Sequence, residues 1–425
     1  MIVFFITLLQ CSWIISKHNF FKIEGRNIYA IIGWGISLLG GITIWYIYNK
    51  VYQIERVNAD TFKFFDDAVI IASYFRNYPI DVFRIFSGFY DINNETIKLI
   101  LESTTHWYRP FHFGEYNDNQ LIIRINLIIL IFSGGYYPTH LLFFNFSGFL
   151  GLWLMIKSNL KRISLKNNFF WIGLFIIPNA WLWISGVLKE PILILFLGLF
   201  YWSFFEPQKW KAQKISLFII SVLGLVLIKV YVLICLLPPI IVFSILAKKK
   251  FWIKTAVLYS IGILAFILSF LLFDFNPSQV LAQKQLDFNN VAEISKAKSF
   301  FETFTLSGNP KSILINAPMA LINGVFRPFI WNSKSPFMLI SSLENISLFI
   351  LVIIALFKIK GENFETQNRK NFIVLFSLNL LILIGLTTTV SGALVRYKIP
   401  ATILLSIFII TTFFKKDDEK QNIEI

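Results

Sequence analysis

Two carboxylates near residue 60 are the first candidates for acid–base chemistry in this sequence. Asp60 and Asp67 lie in the segment 58–84, about two turns apart along a predicted helix. A carboxylate can accept a proton from a hydroxyl group or bind a divalent cation. A helix N-cap explains Asp60 equally well, and a solvated helix face explains Asp67. We treat both as candidate catalytic residues, each with a structural alternative.

The segment 106–119 combines cations with aromatic residues. It places Arg109 and His112 between Trp107 and Tyr116. Rings and cations at a membrane surface can bind a sugar ring and a phosphate together, although aromatic residues also form ordinary interfacial belts. Arg109 and His112 are therefore candidate substrate-binding residues.

A Lys-Glu pair stands between two apolar runs at positions 189–190. Glu190 precedes Pro191, where a helix is predicted to begin, and an acid there suits the helix dipole and can pair with Lys189. A cation close to the membrane is costly and is a functional candidate by default. Lys189 and Glu190 are therefore candidate substrate-binding residues. Lys229, at the end of another apolar run, is expected to extend its ammonium group to the interface.

Three cations in the C-terminal half complete the candidates. Arg327 precedes Pro328, where the preceding helix should end, and a guanidinium can hold a phosphate with two parallel hydrogen bonds. The alternative is that Arg327 extends to the interface. Arg396 and Lys398 fall on the predicted outer side, against the usual cytoplasmic bias of basic residues. A bound anionic head group would explain them, so all three are candidate substrate-binding residues.

The composition indicates that membrane-spanning elements position these residues. Of the 425 residues 56% are hydrophobic and only 15% are charged, whereas soluble proteins carry about a quarter charged residues. The net charge of +15 arises from short basic loops between apolar runs, so it predicts topology rather than nucleic-acid binding. Both cysteines lie in apolar runs and the histidines lack ligand spacing, so no metal site is predicted. The cofactor remains open, with a divalent cation as one option.

The apolar runs predict an all-α, polytopic transmembrane bundle that forms a single domain, 1–425. Each span needs about 20 apolar residues. About eleven runs qualify, near 2–16, 28–48, 136–156, 168–185, 189–205, 215–231, 232–247, 252–273, 338–359, 371–390 and 398–414. Two long outer loops, 50–119 and 274–337, are expected to carry interfacial helices. The charged tail 416–425 is expected to be disordered in the cytoplasm.

Residues 120–156 contain two apolar halves separated by a Gly-Gly break, but they are too short for three spans. We expect one span after the break, with the first half re-entrant or interfacial and lining a cavity. The basic loops at 17–26, 157–166, 208–214, 248–254 and 358–370 set the orientation if they lie in the cytoplasm. The candidate residues then face the periplasm or cell exterior from an inner (cytoplasmic) membrane.

The chain resembles the GT-C superfamily of polyprenyl-phosphate-dependent glycosyltransferases. The resemblance rests on Asp60 in NADTFKFFDDA and on three short motifs, WISGVLKE (183–190), FRPF (326–329) and LVRYKIP (394–400). It departs from the family in its additional first span and in lacking a clear paired-acid signature. The resemblance implies transfer of a sugar from a polyprenyl-linked donor to a glycan, lipid or protein acceptor, with membrane lipids as further partners. Asp60 would be the base or metal ligand, and Lys189, Arg327, Arg396 and Lys398 would hold the phosphate.

Two alternatives remain open. An O-antigen-type polymerase or ligase would act on polyprenyl-pyrophosphate glycans and would use outer arginines without a metal. A transporter or flippase for a lipid-linked substrate would require charged residues at mid-membrane depth, whereas the candidates cluster near the ends of the predicted spans.

Overall fold

The computed structural model of this chain is helical. It describes residues 1–23, 25–51, 56, 59–107, 117–159, 177–205, 212–245, 253–262, 276–294, 296–297, 299–359 and 364–414. Within these ranges helices are joined by short connections, and the backbone pairs only in isolated bridges rather than strands. The all-α class predicted from the sequence is therefore confirmed. The predicted disordered tail, 416–425, lies outside the described residues.

The chain divides into two compact units. The first unit comprises Met1–Ser158 and Trp181–Val230, and the second comprises Asn159–Ala180 and Tyr231–Ile425. The principal helices of the first unit are α1 (Ile2–Lys17), α2 (Ile28–Tyr46), α3 (Asp60–Ser73), α4 (Pro79–Ser87), α5 (Glu95–Glu102), α6 (Asn119–Ser133), α7 (Tyr137–Asn159) and, after the short helix α8 (Pro178–Trp183), α9 (Lys189–Phe205). The helix α10 (Ala212–Ile245) begins in the first unit and ends in the second.

The second unit continues with helices that frame the functional residues described below. They are α11 (253–262), α12 (Pro277–Ile294), α13 (Pro310–Phe326), α14 (Pro336–Lys358), α15 (Phe364–Thr387), α16 (Ser391–Tyr397) and α17 (Ile399–Phe413). The starts of α13 and α14 follow local sequence rules. Asn309 and Ser335 each accept a backbone N–H as N-caps, and a proline occupies the first turn of both helices.

Helices α13 and α15 cross closely because glycines face the crossing from both sides. A Cβ on Gly385 would lie 1.9 Å from the carbonyl oxygen of Ala320, and one on Gly324 would lie 2.2 Å from that of Leu381. Any side chain larger than hydrogen would therefore push the helices apart. This contact holds the end of α13, and with it Arg327, against a long apolar helix.

Five described helices are long and apolar enough to cross a membrane, and the bent pair α16–α17 raises the count to six. The five are Ile28–Lys50, Tyr137–Asn159, Ala212–Ser244, Pro336–Lys358 and Glu365–Thr387. The chain is thus a multi-pass membrane protein. The eleven spans stay a prediction, because some predicted runs form shorter helices and others fall partly outside the described residues.

The break predicted within residues 120–156 is confirmed in position. Gly134 and Gly135 adopt φ of +59° and +79°, values that favour glycine, and they separate α6 from α7. On α6 the side chain of Asn126 is buried, and its Oδ1 lies 2.7 Å from Nδ1 of His140. The cavity expected beside this helix stays a prediction.

Helix α10 covers two runs that were predicted as separate spans, 215–231 and 232–247. The backbone is not helical at Lys229, where φ is −153° and ψ is 85°. Two helical segments therefore meet at Lys229, close to the predicted boundary between the two runs.

Candidate functional site

Arg327 ends helix α13, and its guanidinium is fixed from inside the protein. The following proline disfavours continued helix, so the backbone of Arg327 is extended. The Nε of Arg327 donates a 2.8 Å hydrogen bond to Oδ1 of Asn323, one helical turn earlier. Only 8% of Arg327 is exposed, which corrects the expectation of an exposed arginine at the interface. Burial lowers the pKa of Arg327, yet a guanidinium stays charged near neutral pH.

Two aromatic rings contact the same guanidinium. Its central carbon lies 3.7 Å from the centroid of the Phe301 ring and 4.9 Å from that of Phe329. Both distances suit cation–π attraction, which strengthens when water is excluded. Trp331 stacks on Phe329 with the two ring planes only 7° apart. The two aromatic rings that contact the guanidinium and its hydrogen bond to Asn323 together fix the direction in which it points.

The terminal amino groups of Arg327 remain available for a ligand. Among the described residues, no hydrogen bond or ion pair uses Nη1 or Nη2. Those two groups are the ones that donate in parallel to a phosphate or carboxylate. A buried guanidinium with its Nε occupied and its outer edge unused has the geometry of an anion receptor.

Lys398 supports the backbone of Arg327. Its ammonium donates to the carbonyl oxygen of Arg327 at 3.0 Å and to Oδ1 of Asn345 at 2.5 Å, and Asn345 donates to the same carbonyl at 2.9 Å. Lys398 is 4% exposed. The contacts of its ammonium are therefore to protein oxygens, which give Lys398 a positioning role beside Arg327, and its predicted contact with a head group stays a prediction.

A cavity of about 340 Å³ in the second unit has Arg327 among its lining residues. Its walls combine aromatic rings and hydroxyl groups with two cations and one carboxylate. The lining residues are Ser299, Phe300, Phe301, Glu302, Arg327, Pro328, Phe329, Asn332, Lys334, Met338 and Ser391. Lys334 and Glu302 are exposed, unlike Arg327. The cavity thus offers one buried cation and one solvated cation to an anionic ligand.

Hydrogen bonds hold the segment that carries Phe301 against neighbouring parts of the second unit. The Phe301 N–H donates to the carbonyl of Thr389, and the Ser391 N–H donates to that of Ser299. Buried Gln285 on α12 donates to the carbonyls of Phe304 and Leu386. These bonds join the second predicted outer loop to the end of α15.

A buried carboxylate inside candidate span α14 was missed by the sequence reasoning. Glu344 accepts the backbone and side-chain N–H groups of Asn179 at 3.0 and 2.7 Å, and Ser341 donates to Asn179 Oδ1. The signal was present in the sequence, because Glu344 and Asn345 form a polar pair inside an otherwise apolar run. The cavity residues Glu302 and Lys334 were also missed, because the segment around Glu302 matches no motif.

In the first unit, Asp60 and Asp67 make protein contacts. Asp60 is the first residue of α3 and Ala59 is the N-cap, so the predicted N-cap position is wrong by one residue; the Asp60 carboxylate pairs with Lys63. Asp67 is buried and accepts the backbone N–H groups of residues 105–107 at 2.7 to 3.0 Å. Burial raises the pKa of Asp67, and the three N–H groups oppose that rise. Asp67 thus holds this segment against α3.

Lys189 and Glu190 have different partners, so the predicted internal pair is wrong. Lys189 Nζ lies 2.6 Å from Asp118 Oδ2, and Glu190 Oε1 accepts a 2.9 Å hydrogen bond from Lys229. Glu190 is 1% exposed and Lys229 is 6% exposed. The expected extension of Lys229 to the interface is therefore also wrong, since its ammonium forms a buried ion pair at the break in α10.

The remaining predicted residues are placed as follows. Arg109 and His112 lie outside the described residues. Arg396 is partly buried in α16 and is not among the lining residues of the cavity. Asp60, Asp67, Lys189 and Glu190 belong to the first unit, whereas Arg327, Arg396 and Lys398 belong to the second.

Within the described ranges, no three histidine, cysteine, aspartate or glutamate side chains group closely enough to hold a metal ion. No family model, curated protein or solved structure matches this chain. The function is therefore argued from the site itself.

Proposed function

We propose that the chain is a membrane glycosyltransferase that moves a sugar from a polyprenyl-phosphate donor to a glycan, lipid or protein acceptor on the non-cytoplasmic face. The observation that carries this proposal is the Arg327 guanidinium, which is buried at a cavity with its terminal amino groups unused by the described residues. As a sugar leaves, negative charge develops on the donor phosphate. Fixed cations stabilise that charge most effectively when they need no reorganisation.

The number of spans and their orientation in the membrane are part of the same proposal. About eleven spans, cytoplasmic basic loops and an inner (cytoplasmic) membrane location would place residues 274–337 outside the cytoplasm. A polyprenyl donor reaches such a site from the lipid phase, and the aromatic residues at the cavity suit both a sugar ring and lipid. Exposed Phe83 and Ile80 on α4 are consistent with an interfacial helix in the first outer loop.

Two of the earlier residue assignments change in this proposal. Arg327 holds the phosphate directly, with Lys334 as a second cation, whereas Lys398 acts through the backbone of Arg327. Asp67 is not carried forward as a catalytic residue, because its oxygens hold the backbone of residues 105–107.

A lipid-linked substrate transporter is the second candidate, and one observation favours it. Glu344 is buried about 12 Å along α14 from Pro336, far from either end of a candidate span. Ionisable groups at such depth often serve transport. The hydrogen bonds from Asn179 give Glu344 a structural role as well, so we rank the transporter below the transferase.

A deletion strain of the source organism tests the proposal. We expect loss of this chain to remove one sugar from a surface glycan, lipid or protein, and the corresponding sugar-charged polyprenyl phosphate to accumulate. Mass spectrometry of the extracted glycans and lipids measures both. A plasmid copy should restore the sugar, whereas an R327Q copy should not, and an R76Q copy serves as a control at an exposed arginine.

Unchanged glycans in the deletion strain would contradict the proposal. Accumulation of a complete, unpolymerised pyrophosphate-linked glycan would instead indicate the polymerase. Movement of a lipid-linked sugar across the membrane of reconstituted vesicles, without formation of a covalent product, would indicate the transporter.

A further inference from the structure

The cavity beside Arg327 contains one carboxylate among the described residues that line it. That residue is Glu302, which was not a candidate in the sequence. A cavity that holds the phosphate of a sugar donor also needs a group that removes a proton from the acceptor hydroxyl. Glu302 carries a carboxylate that can accept this proton, and it lines the cavity proposed to hold the donor phosphate.

The residues on both sides of Glu302 contact Arg327 or the asparagine that binds it. Phe301 contacts the guanidinium through its ring and is fixed by its N–H bond to Thr389. Thr303 accepts a 3.0 Å hydrogen bond from Asn323, which in turn holds the Nε of Arg327. The backbone of Glu302 is thus held between two residues that contact Arg327 or Asn323, which limits where its carboxylate can lie.

The carboxylate of Glu302 differs from the other acids discussed above. It is exposed, and no hydrogen bond or ion pair of the described residues involves it. In contrast, Asp60 pairs with Lys63, and Asp67 is occupied by backbone N–H groups. A general base must keep an oxygen available to the incoming hydroxyl, and of these three acids only Glu302 meets that condition.

We infer that Glu302 is the general base of the proposed sugar transfer; this inference rests on the proposed function. The acceptor hydroxyl gives its proton to the Glu302 carboxylate as its oxygen forms a bond to the anomeric carbon. The bond between that carbon and the donor phosphate oxygen breaks, and its electron pair leaves with the phosphate. Arg327 and Lys334 stabilise the resulting charge, and the proton on Glu302 passes to water. A single carboxylate supplies few of the oxygen ligands that a divalent cation needs, so we assign a base rather than a metal ligand.

The test uses the full-length chain in two assays. The first complements the deletion strain with E302Q, with E302D and with E293Q, a matched change at an exposed glutamate on α12 that does not line the cavity. The second measures binding of undecaprenyl phosphate to each purified variant in nanodiscs. Loss of a general base typically reduces the rate by about 100-fold or more.

We expect E302Q to lose the sugar product while binding undecaprenyl phosphate within about twofold of the unmodified chain, because binding rests on Arg327. E302D, which keeps a carboxylate on a shorter side chain, should retain part of the product, and E293Q should retain all of it. Normal product from E302Q would overturn the inference and leave the proposed function intact. Equal loss of binding and product in E302Q would also overturn it, by assigning Glu302 to donor binding. If the proposed function itself is wrong, the deletion strain will show no change in its glycans, so this outcome can be distinguished from the two above.

Discussion

At the scale of single residues, the proposed binding of the donor phosphate depends on how Asn323 directs Arg327. Asn323 Oδ1 accepts from the Nε of Arg327, so a residue without an acceptor should free the guanidinium to rotate. We predict that N323L weakens undecaprenyl phosphate binding about tenfold, the effect of one lost hydrogen bond to a charged group. N323D keeps an acceptor of the same shape and should retain most of the affinity.

Titration of undecaprenyl phosphate into nanodiscs measures these affinities, and thermal unfolding of the same samples provides the control. A purely structural role for Asn323 would lower the melting temperature of N323L and N323D in proportion to the loss of binding. The positioning role predicts a difference in binding that is larger than any difference in melting temperature.

Residue types predicted the local backbone at Arg327 but not the contacts between residues that are distant in sequence. The Arg-Pro dipeptide correctly predicted the end of α13, because the residue before proline avoids helical backbone. Sequence could not show that Lys398 is buried against the carbonyl of Arg327, because those residues are 71 positions apart. The partners of Asp67 could not be predicted for a similar reason, since its hydrogen-bond donors lie 38 to 40 residues later.

At the scale of elements, the buried pair Glu190–Lys229 joins the start of α9 to the break in α10. Removing one partner leaves a buried charge without its counter-charge, which typically costs about 3–5 kcal/mol. We predict that E190Q and K229M each lower the thermal stability of the purified protein. The double variant E190Q/K229M should recover part of that loss, because it removes both charges of this ion pair together.

Thermal unfolding in one detergent, with all four proteins measured side by side, tests this coupling. Simple additivity of the two single losses in the double variant would contradict a direct energetic interaction between Glu190 and Lys229. K98M provides a control for charge removal, because Lys98 is exposed and its contact with Glu102 is long, at 3.9 Å.

Helix boundaries were largely predictable where the conformational preference of a residue determines the backbone. Two consecutive glycines predicted the break between α6 and α7, and both adopt positive φ. The break at Lys229 was not predicted in that form, because neither lysine nor valine is a helix breaker.

At the scale of the whole molecule, apolar runs predicted a multi-pass helical protein, and the described helices confirm it. The division into two compact units could not be predicted, because uniform apolar composition does not show where packing divides a chain. The count of eleven spans and the sidedness remain predictions, since length and composition do not place a helix within a bilayer.

Sidedness is testable with single cysteines in a chain whose native Cys11 and Cys235 are replaced by serine. We predict that K334C reacts with a membrane-impermeant maleimide added to intact cells or spheroplasts, because residues 274–337 are predicted to lie outside. K17C, in a predicted cytoplasmic loop, should react only after the membrane is permeabilised. The reverse pattern would place the cavity on the cytoplasmic side.

The most direct test of the central claim is a photo-crosslinking measurement with a diazirine-bearing polyprenyl phosphate in nanodiscs. With the diazirine close to the phosphate, mass spectrometry should locate crosslinks in peptides that contain residues 299–303 and 327–334. R327Q should reduce these crosslinks at least about tenfold, as expected for losing a charge-assisted bidentate contact, whereas R76Q should leave them unchanged. Crosslinks confined to other helices, or cavity crosslinks of equal yield in R327Q, would contradict the claim that Arg327 binds the donor phosphate.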